Sequence, residues 1–383
     1  MKNLWDDAEA KKCKNDLDLR VYTSNLLGQS DELVLHGGGN TSVKSMVDGE
    51  EILFVKGSGW DLVSIKSEGF APVKMSTLLE MAQLKKLSDT EMVSGQKAAM
   101  IDKSAPNPSV EAILHAIIPF KVVDHTHADA VVTISNSKNG QELIETLFPN
   151  FLIVPYIMPG FILAQKIYEM TQDDFDWDGC EGIILHNHGI FTFDDDAKKS
   201  YDKMIDAVSK AEKFLEKNAD ISLKTVEAKT FDMSALKIEK FMHINQTPLA
   251  LHYASQDDIR TKVTRGVLTP EHIIRTKRIP LVIEDDEVAD ALKHFKVAYE
   301  AYFNAYKNDE IMLGTHPKYA VIKNVGVVSF GKTQKEADVI NDVVTHTMMA
   351  VLRADKLGGY RSISIPDSFA MEYWELEQAK LKK

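Results

Sequence analysis

Two pairs of histidines, each separated by one residue, have the clearest potential for chemistry in this sequence. His125 and His127 form the first pair, in the polar centre of the stretch 122–132 between two apolar runs, and His186 and His188 form the second. Both pairs are expected on β-strands, where residues i and i+2 point to the same face. Adjacent imidazoles can share one zinc-like ion, and two such strands would supply three or four ligands. Histidines on the polar face of an ordinary amphipathic strand have the same spacing, so both interpretations stay open.

Two glycine-rich segments and one glutamate provide groups that could act beside such an ion. Gly37–Gly39 follow a predicted strand, 33–36, and lead into an Asn-Thr-Ser sequence. Glycines let the backbone approach a ligand closely, and the neutral donors that follow predict a cradle for an anion, with an ordinary tight turn as the alternative. Gly57–Gly59 form a second turn of small residues. Glu111, in the first turn of a predicted helix, is a candidate acid or base, or simply a carboxylate favoured there by the helix dipole.

The charge balance and the absence of several motifs exclude other functions. The chain has 45 basic and 57 acidic residues, a net charge of −12. It therefore lacks the basic surface that would neutralise nucleic-acid phosphates. It contains no Gly-x-Gly-x-x-Gly sequence, no P-loop and no Gly-x-Ser-x-Gly elbow. Neither nucleotide binding nor serine-hydrolase chemistry is expected.

Cysteine usage and hydropathy predict a cytoplasmic protein. Cys13 and Cys180 lie far apart and form no Cys-x-x-Cys motif, which is typical of a reducing compartment. The N-terminal residues are charged and lack the apolar core of a signal peptide. No apolar run approaches the length of about 18 residues that a membrane span requires. We expect neither a nucleic-acid nor a membrane partner.

Two segments of the chain, 181–193 and 319–330, are similar to each other at one constant offset of 137 residues. Three identical pairs carry this similarity: Asn187 and Asn324, Gly189 and Gly326, and Phe193 and Phe330. The second segment has Val325 where the first has His188. Self-similarity at a fixed offset predicts a duplicated unit whose second copy has lost the metal-type ligand, although one short match can also arise by chance. If the duplication holds, the catalytic chemistry belongs to the first copy.

Together these motifs resemble the class II aldolase/adducin family of sugar-phosphate aldolases. They occur in the family's order over about residues 10–220: Gly39–Ser42, Gly57–Gly59, Ser109–Glu111, His125–His127 and Asn187–Gly189. Segments 55–61 and 269–277 are further similar to the aldolase half of bifunctional rhamnulose-phosphate aldolase/dehydrogenase proteins. The resemblance implies an α/β protein with a three-layer α/β/α catalytic domain over 1–235. A smaller α/β domain without metal ligands is expected over 236–383, and the duplication would make it the degenerate copy.

The resemblance also implies a role for each motif residue. His125, His127 and His188 would hold Zn²⁺, or another divalent metal, and Glu111 would be the general acid/base. Tyr156 would be a second proton donor, supplied by a neighbouring subunit of a homo-oligomer. The substrate phosphate would be bound by amides and hydroxyl groups of five residues: Asn40, Thr41, Ser58, Gly59 and Ser109.

The implied activity is cleavage of a deoxyketose 1-phosphate, such as rhamnulose or fuculose 1-phosphate, to dihydroxyacetone phosphate and lactaldehyde. Epimerisation or dehydration of a sugar phosphate, and a non-catalytic scaffold as in adducin-like relatives, are alternatives within the family. The sequence 122–127 also fits the first barrel strand of amidohydrolases, but about 120 residues precede it here, which disfavours that fold. The family often has Ser-Ser-Glu where this chain has Ser109-Val110-Glu111, so one possible phosphate hydroxyl is absent.

Overall fold

The computed structural model describes residues 1–284 and 287–381 of the chain. They divide into two units, one made of Met1–Val132 and Gln141–Phe214, the other of Thr133–Gly140 and the residues from Leu215 onward. The division at Phe214 falls inside a long helix, and the domain boundary predicted at residue 235 stays a prediction. Within the described part of the chain, no helix is both long and apolar enough to cross a membrane.

The N-terminal half of the chain forms a seven-stranded sheet. Its strands are β1 (Asn40–Val47), β2 (Glu50–Lys56), β3 (Phe70–Lys74), β4 (Val122–Thr126), β5 (Phe151–Val154), β6 (Gly182–Leu185) and β7 (Gly189–Asp194). The spatial order is β3-β2-β1-β4-β7-β6-β5, and every pair is antiparallel except β5 and β6. The helices are α1 (Asp7–Ala10), α2 (Asp16–Gly28), α3 (Met75–Ala82), α4 (Asp89–Ala98), α5 (Ala112–Ile117), α6 (Asp129–Ser135), α7 (Gly140–Leu147), α8 (Phe161–Met170) and α9 (Ala197–Asn218).

Strand β4 shows how the sheet is covered on both faces. Val123 packs into the large apolar cluster with α3, α5 and α8, whereas Val122 packs with residues near α2 and α9. Successive side chains of a strand point to opposite faces, so the two valines define the two sides of the sheet. The predicted three-layer α/β/α arrangement is confirmed, and His125 lies on the same side of β4 as Val123 and helix α5.

A buried ion pair ties β4 to the helices on its other face. Arg20 Nη2 on α2 lies 2.6 Å from Asp124 Oδ1, and both side chains are fully buried. Ser200 Oγ, on α9, donates a hydrogen bond of 2.5 Å to the second carboxylate oxygen of Asp124. Removing one partner of a buried ion pair typically costs about 3–5 kcal/mol, because the other charge is left uncompensated. The ion pair and the hydrogen bond therefore anchor the strand that carries His125 to the helices on its opposite face.

One predicted strand is absent from the structure, and another is shorter than predicted. Residues 33–36 form a turn rather than a strand, and β1 begins only at Asn40, after His36 at φ +39° and Gly37 at φ +84°. Strand β4 stops at Thr126, and the apolar residues that follow belong to helix α6. A short apolar run fits a buried helix as well as a strand, so alternation alone did not separate the two.

The second unit contains a four-stranded sheet. Its strands are β8 (Phe241–Asn245), β9 (Leu281–Ile283), β10 (Tyr319–Ile322) and β11 (Gly326–Gly331). Their order is β8-β11-β10-β9, with β9 and β10 parallel and the other pairs antiparallel. The helices are α10 (Pro248–Ala254), α11 (Ile259–Val263), α12 (His272–Thr276), α13 (Val288–Tyr306), α14 (Gln334–Lys356), α15 (Ile365–Glu372) and α16 (Glu375–Leu381).

This second sheet repeats the order β4-β7-β6-β5 of the first. Strands β10 and β11 and helix α14 begin 137 residues after β6, β7 and α9, and β8 and α10 begin 119 residues after β4 and α6. Asn187 and Asn324 occupy equivalent turns, both at φ +59°. A Cβ atom on Gly189 would lie 2.4 Å from the Thr126 carbonyl oxygen, and one on Gly326 would lie 2.5 Å from that of Asn245. The topology supports the duplication predicted from the sequence.

The repeat shows what the second copy lost. The strand registers align Ile244 with His125. The same offset of 119 residues places Gln246 at the position of His127. Val325 occupies the turn position of His188. None of these three replacements is an imidazole, so the second sheet keeps the framework without the ligands. Among the residues that the structure describes, the converging histidine group belongs to the first copy.

Candidate metal centre and active site

Three histidines converge at one end of strands β4 and β7. His125 lies on β4, His127 directly follows it, and His188 lies in the turn before β7. One ring nitrogen of each lies within 4.8 Å of those of the other two, and all three residues are buried. The Nε2 atoms of His125 and His127 are 3.1 Å apart. Three imidazoles whose nitrogens converge in this way fit a divalent ion and leave coordination positions for a substrate.

His186, the fourth histidine of the two pairs, lies outside this group. The prediction that His186 and His188 share one strand face is wrong, because residues 186–188 form the turn between β6 and β7. Asn187 has φ +59° in this turn, a conformation that asparagine tolerates better than most residues. Gly189 then lets β7 approach closely, since a Cβ there would lie 2.9 Å from Cε1 of His125.

The surroundings of His125 orient its ring and keep it neutral. Its Nδ1 donates an N–H to the carbonyl oxygen of Ile190, 3.1 Å away. Nε2 is then the unprotonated nitrogen, and it is directed toward the other histidines. The ring also stacks on Phe191 at a centroid distance of 3.9 Å. Burial, and then the neighbouring imidazoles, hold the pKa of His125 well below its usual range, and burial lowers the pKa of His127 to about 4. Neutral imidazole is the form that binds a metal.

Glu111 brings a carboxylate to the histidines. It lies immediately before helix α5, and its side chain is only 3% exposed. Its Oε2 lies 3.5 Å from Nε2 of His125, and its Oε1 lies 3.7 Å from Nε2 of His188. Asn40 Nδ2 donates a hydrogen bond of 2.6 Å to Oε2. A carboxylate beside converging metal ligands is suitably placed for proton transfer to or from a bound substrate.

The predicted phosphate-binding residues divide between two faces of strand β1 and two loops. Asn40 faces Glu111, but the Thr41 hydroxyl is 2.8 Å from Ser24 Oγ on α2, on the opposite face. The loops of Ser58 and Ser109 are joined by backbone hydrogen bonds, including one of 3.0 Å from the Ser109 amide to the carbonyl of residue 56. Gly59 is exposed, at φ +89°. Phosphate binding by these residues stays a prediction.

Tyr156, the predicted second proton donor, follows the edge strand β5. Strands β6 and β7 separate β5 from β4, which carries His125. The role of Tyr156 therefore stays a prediction.

Lys56 is a residue of this region that the sequence reasoning missed. It ends strand β2, is 5% exposed, and donates from Nζ to the Gly37 carbonyl oxygen over 2.9 Å. Its positive charge also contributes to the lowered pKa of His127. A lysine at the end of the apolar run 52–55, directly before the Gly57–Gly59 turn, was the signal available in the sequence. The site thus contains a buried cation beside its neutral donors.

Comparison with known proteins gives consistent results for both halves of the chain. Residues 20–214 match the Class II Aldolase and Adducin N-terminal domain, and residues 222–381 match the Aldolase class II second domain. The structure of the N-terminal class II aldolase domain of a conserved protein from Thermoplasma acidophilum is 40% identical, with a TM-score of 0.51. That similarity covers 56% of this chain and 99% of the Thermoplasma chain.

A longer relative is the Bacillus subtilis (strain 168) protein named "Uncharacterized oxidoreductase YuxG". It is 29% identical over 420 residues, which cover 100% of this chain. The chain spans 60% of the length of that relative. The N-terminal domain match includes every histidine of the converging group together with Glu111 and Lys56. The chain belongs to the class II aldolase and adducin family.

Proposed function

We propose that this protein is a zinc-dependent aldolase that cleaves a deoxyketose 1-phosphate of the rhamnulose or fuculose type to dihydroxyacetone phosphate and lactaldehyde. The observation that carries the proposal is the position of Glu111, whose two oxygens lie 3.5 and 3.7 Å from imidazoles of two converging histidines. Membership of the class II aldolase family supports a carbon–carbon lyase, and a homo-oligomer is part of the proposal.

In this proposal the side chains have separate tasks. His125, His127 and His188 would hold the ion, which, when bound, supplies Lewis-acid chemistry at the substrate carbonyl group. Glu111 handles the protons: it takes the proton that leaves the C4 hydroxyl group as the C3–C4 bond breaks, and it gives that proton to C3. The burial of Glu111 and its hydrogen bond from Asn40 hold the carboxylate in place and keep water from it.

The direct test is product analysis. Purified protein is incubated with rhamnulose 1-phosphate and with fuculose 1-phosphate, and the products are followed by NMR. We expect dihydroxyacetone phosphate and lactaldehyde, loss of activity after treatment with a strong chelator, and recovery on adding zinc. Full activity after chelation would contradict the metal mechanism. An epimerised or dehydrated sugar phosphate as the product would replace cleavage by one of the other family reactions.

Replacing Lys56 with methionine is expected to weaken phosphate binding. The apolar stem is kept while the ammonium group is lost, and a hydrogen bond to a charged group contributes about 1.5–3 kcal/mol. We expect KM for the ketose 1-phosphate to rise about 10–100-fold, with kcat changed by less than about fivefold. The measurement is steady-state kinetics, with Lys66→Met, an exposed lysine of the same region, as the control.

The unphosphorylated ketose separates the possible causes. A phosphate-binding role predicts that its KM is the same in wild type and Lys56→Met. An equal rise in KM for both substrates would instead show that Lys56 acts on the sugar part or on the shape of the site, and would contradict the phosphate role.

A further inference from the structure

Hydrogen bonds connect four buried side chains in a series. The series begins at the candidate base Glu111 and includes a histidine, His115, outside the converging group. Asn40 Nδ2 donates to Glu111 Oε2 over 2.6 Å. Asn40 Oδ1 is in hydrogen-bond contact with Nε2 of His115, and Nδ1 of His115 lies 2.7 Å from Ser42 Oγ. All four residues are buried, and the most exposed of them, Asn40, is only 7% exposed. Water therefore has little access to these groups.

The direction of each hydrogen bond in this series follows from the chemistry of the groups. A carboxylate only accepts, so Asn40 turns its NH₂ group to Glu111 and its carbonyl oxygen to His115. That oxygen also only accepts, so His115 carries its proton on Nε2. Burial lowers the pKa of His115 to about 3, and the neutral ring then accepts the Ser42 hydroxyl proton at Nδ1. His115 is therefore the donor that sets the orientation of the Asn40 amide.

We infer that His115 is a positioning residue for the proton transfer by Glu111, because through Asn40 it holds the Glu111 carboxylate in its orientation toward His125 and His188. Without the His115 donor, the Asn40 amide can turn over and present its oxygen to the carboxylate, which repels it. The inference rests on the proposed function of Glu111.

The test compares two substitutions of His115 in the full-length protein. His115→Met fills the space without a donor, whereas His115→Gln keeps an N–H donor close to the position of Nε2. We expect kcat to fall about 10–100-fold in His115→Met, since displacing a catalytic group by about 1 Å can cost about 100-fold. KM and metal content should not change. His115→Gln should keep kcat within about fivefold of wild type.

Several outcomes would overturn the inference. An unchanged kcat in His115→Met would show that the orientation of Asn40 does not depend on this donor. An equal loss of kcat in both substitutions would show that the shape of the imidazole matters rather than its N–H. Loss of metal or of folding in His115→Met, accompanied by the same loss in His115→Gln, would assign His115 a packing role.

A measurement without substrate separates this inference from the proposed function. In protein labelled with ¹⁵N-histidine, long-range ¹H–¹⁵N spectra should show His115 as the Nε2–H tautomer, with assignment from the His115→Gln variant. If the wild type binds metal but cleaves no ketose 1-phosphate, the proposed function fails. An Nε2–H signal from His115 in that protein would still support the hydrogen-bond series from His115 through Asn40 to Glu111. An Nδ1–H tautomer would overturn the inference whatever the activity.

Discussion

Replacing His127 with alanine is expected to remove the metal ion from the protein. One nitrogen of His127 lies within 4.8 Å of those of His125 and His188, and the three imidazoles provide all the protein ligands in our proposal. Changes to groups that only support a ligand already lower metal affinity about 10–100-fold, so loss of a ligand should lower it at least about 100-fold. Elemental analysis of purified wild type should give about one zinc ion per chain, and His127→Ala should give almost none.

His186→Ala is the matched control for this experiment. His186 also belongs to a His-x-His pair, but it lies outside the converging group and is partly exposed. We expect this variant to keep the metal content of wild type. If neither wild type nor variant contains metal, and added zinc does not bind, the catalytic proposal fails and the non-catalytic scaffold becomes the preferred interpretation. If His127→Ala keeps its metal, the ion is bound elsewhere.

Replacing Glu111 with glutamine is expected to abolish most of the turnover while leaving the site assembled. Glutamine has the shape of glutamate, and its oxygen can still accept the hydrogen bond from Asn40. It cannot take up or release a proton in the required range. Loss of a general acid/base typically lowers the rate about 10²–10⁴-fold, so we expect kcat to fall by about that factor. KM should change little, because the neutral amide still fills the same space.

Steady-state kinetics combined with metal analysis provides the check. Glu68→Gln, a substitution of an exposed glutamate in the same half of the chain, should behave as wild type. If Glu111→Gln retains its kcat, another group transfers the proton, and Tyr156 becomes the first candidate to examine. If Glu111→Gln instead loses its metal, the carboxylate acts as a ligand or as its support, which contradicts the acid/base role.

The second unit repeats the sheet topology of the first unit but lacks its three histidines. Its sheet keeps the strand order, the registers and the asparagine-containing turn of the first copy. Ile244, Gln246 and Val325 stand where the first copy has its three imidazoles. A fold tolerates such replacements because packing and backbone pairing, rather than the ligands, hold the sheet together. The chemistry can therefore be lost from one copy while its architecture remains.

The sequence by itself determined the residue types of the site and part of their arrangement. His125 and His127 lie side by side because they are two residues apart at the end of one strand, which is a local property of the chain. The Asn187–Gly189 motif, the small-residue turn Gly57–Gly59 and the place of Glu111 at the start of a helix are local features as well. The similarity of residues 181–193 and 319–330 also indicated the duplicated topology, because equivalent turns require equivalent residues.

Only the tertiary structure decided which of these groups meet. His188 rather than His186 joins the group because the β4–β7 register and the turn at Asn187 place it there. Packing also decides what each face of β1 meets: Asn40 faces Glu111, whereas Thr41 faces Ser24 on α2. The burial of Lys56 and the link from His115 through Asn40 depend on contacts between segments distant in sequence. Such contacts follow from strand pairing and packing, which residue spacing along one segment does not determine.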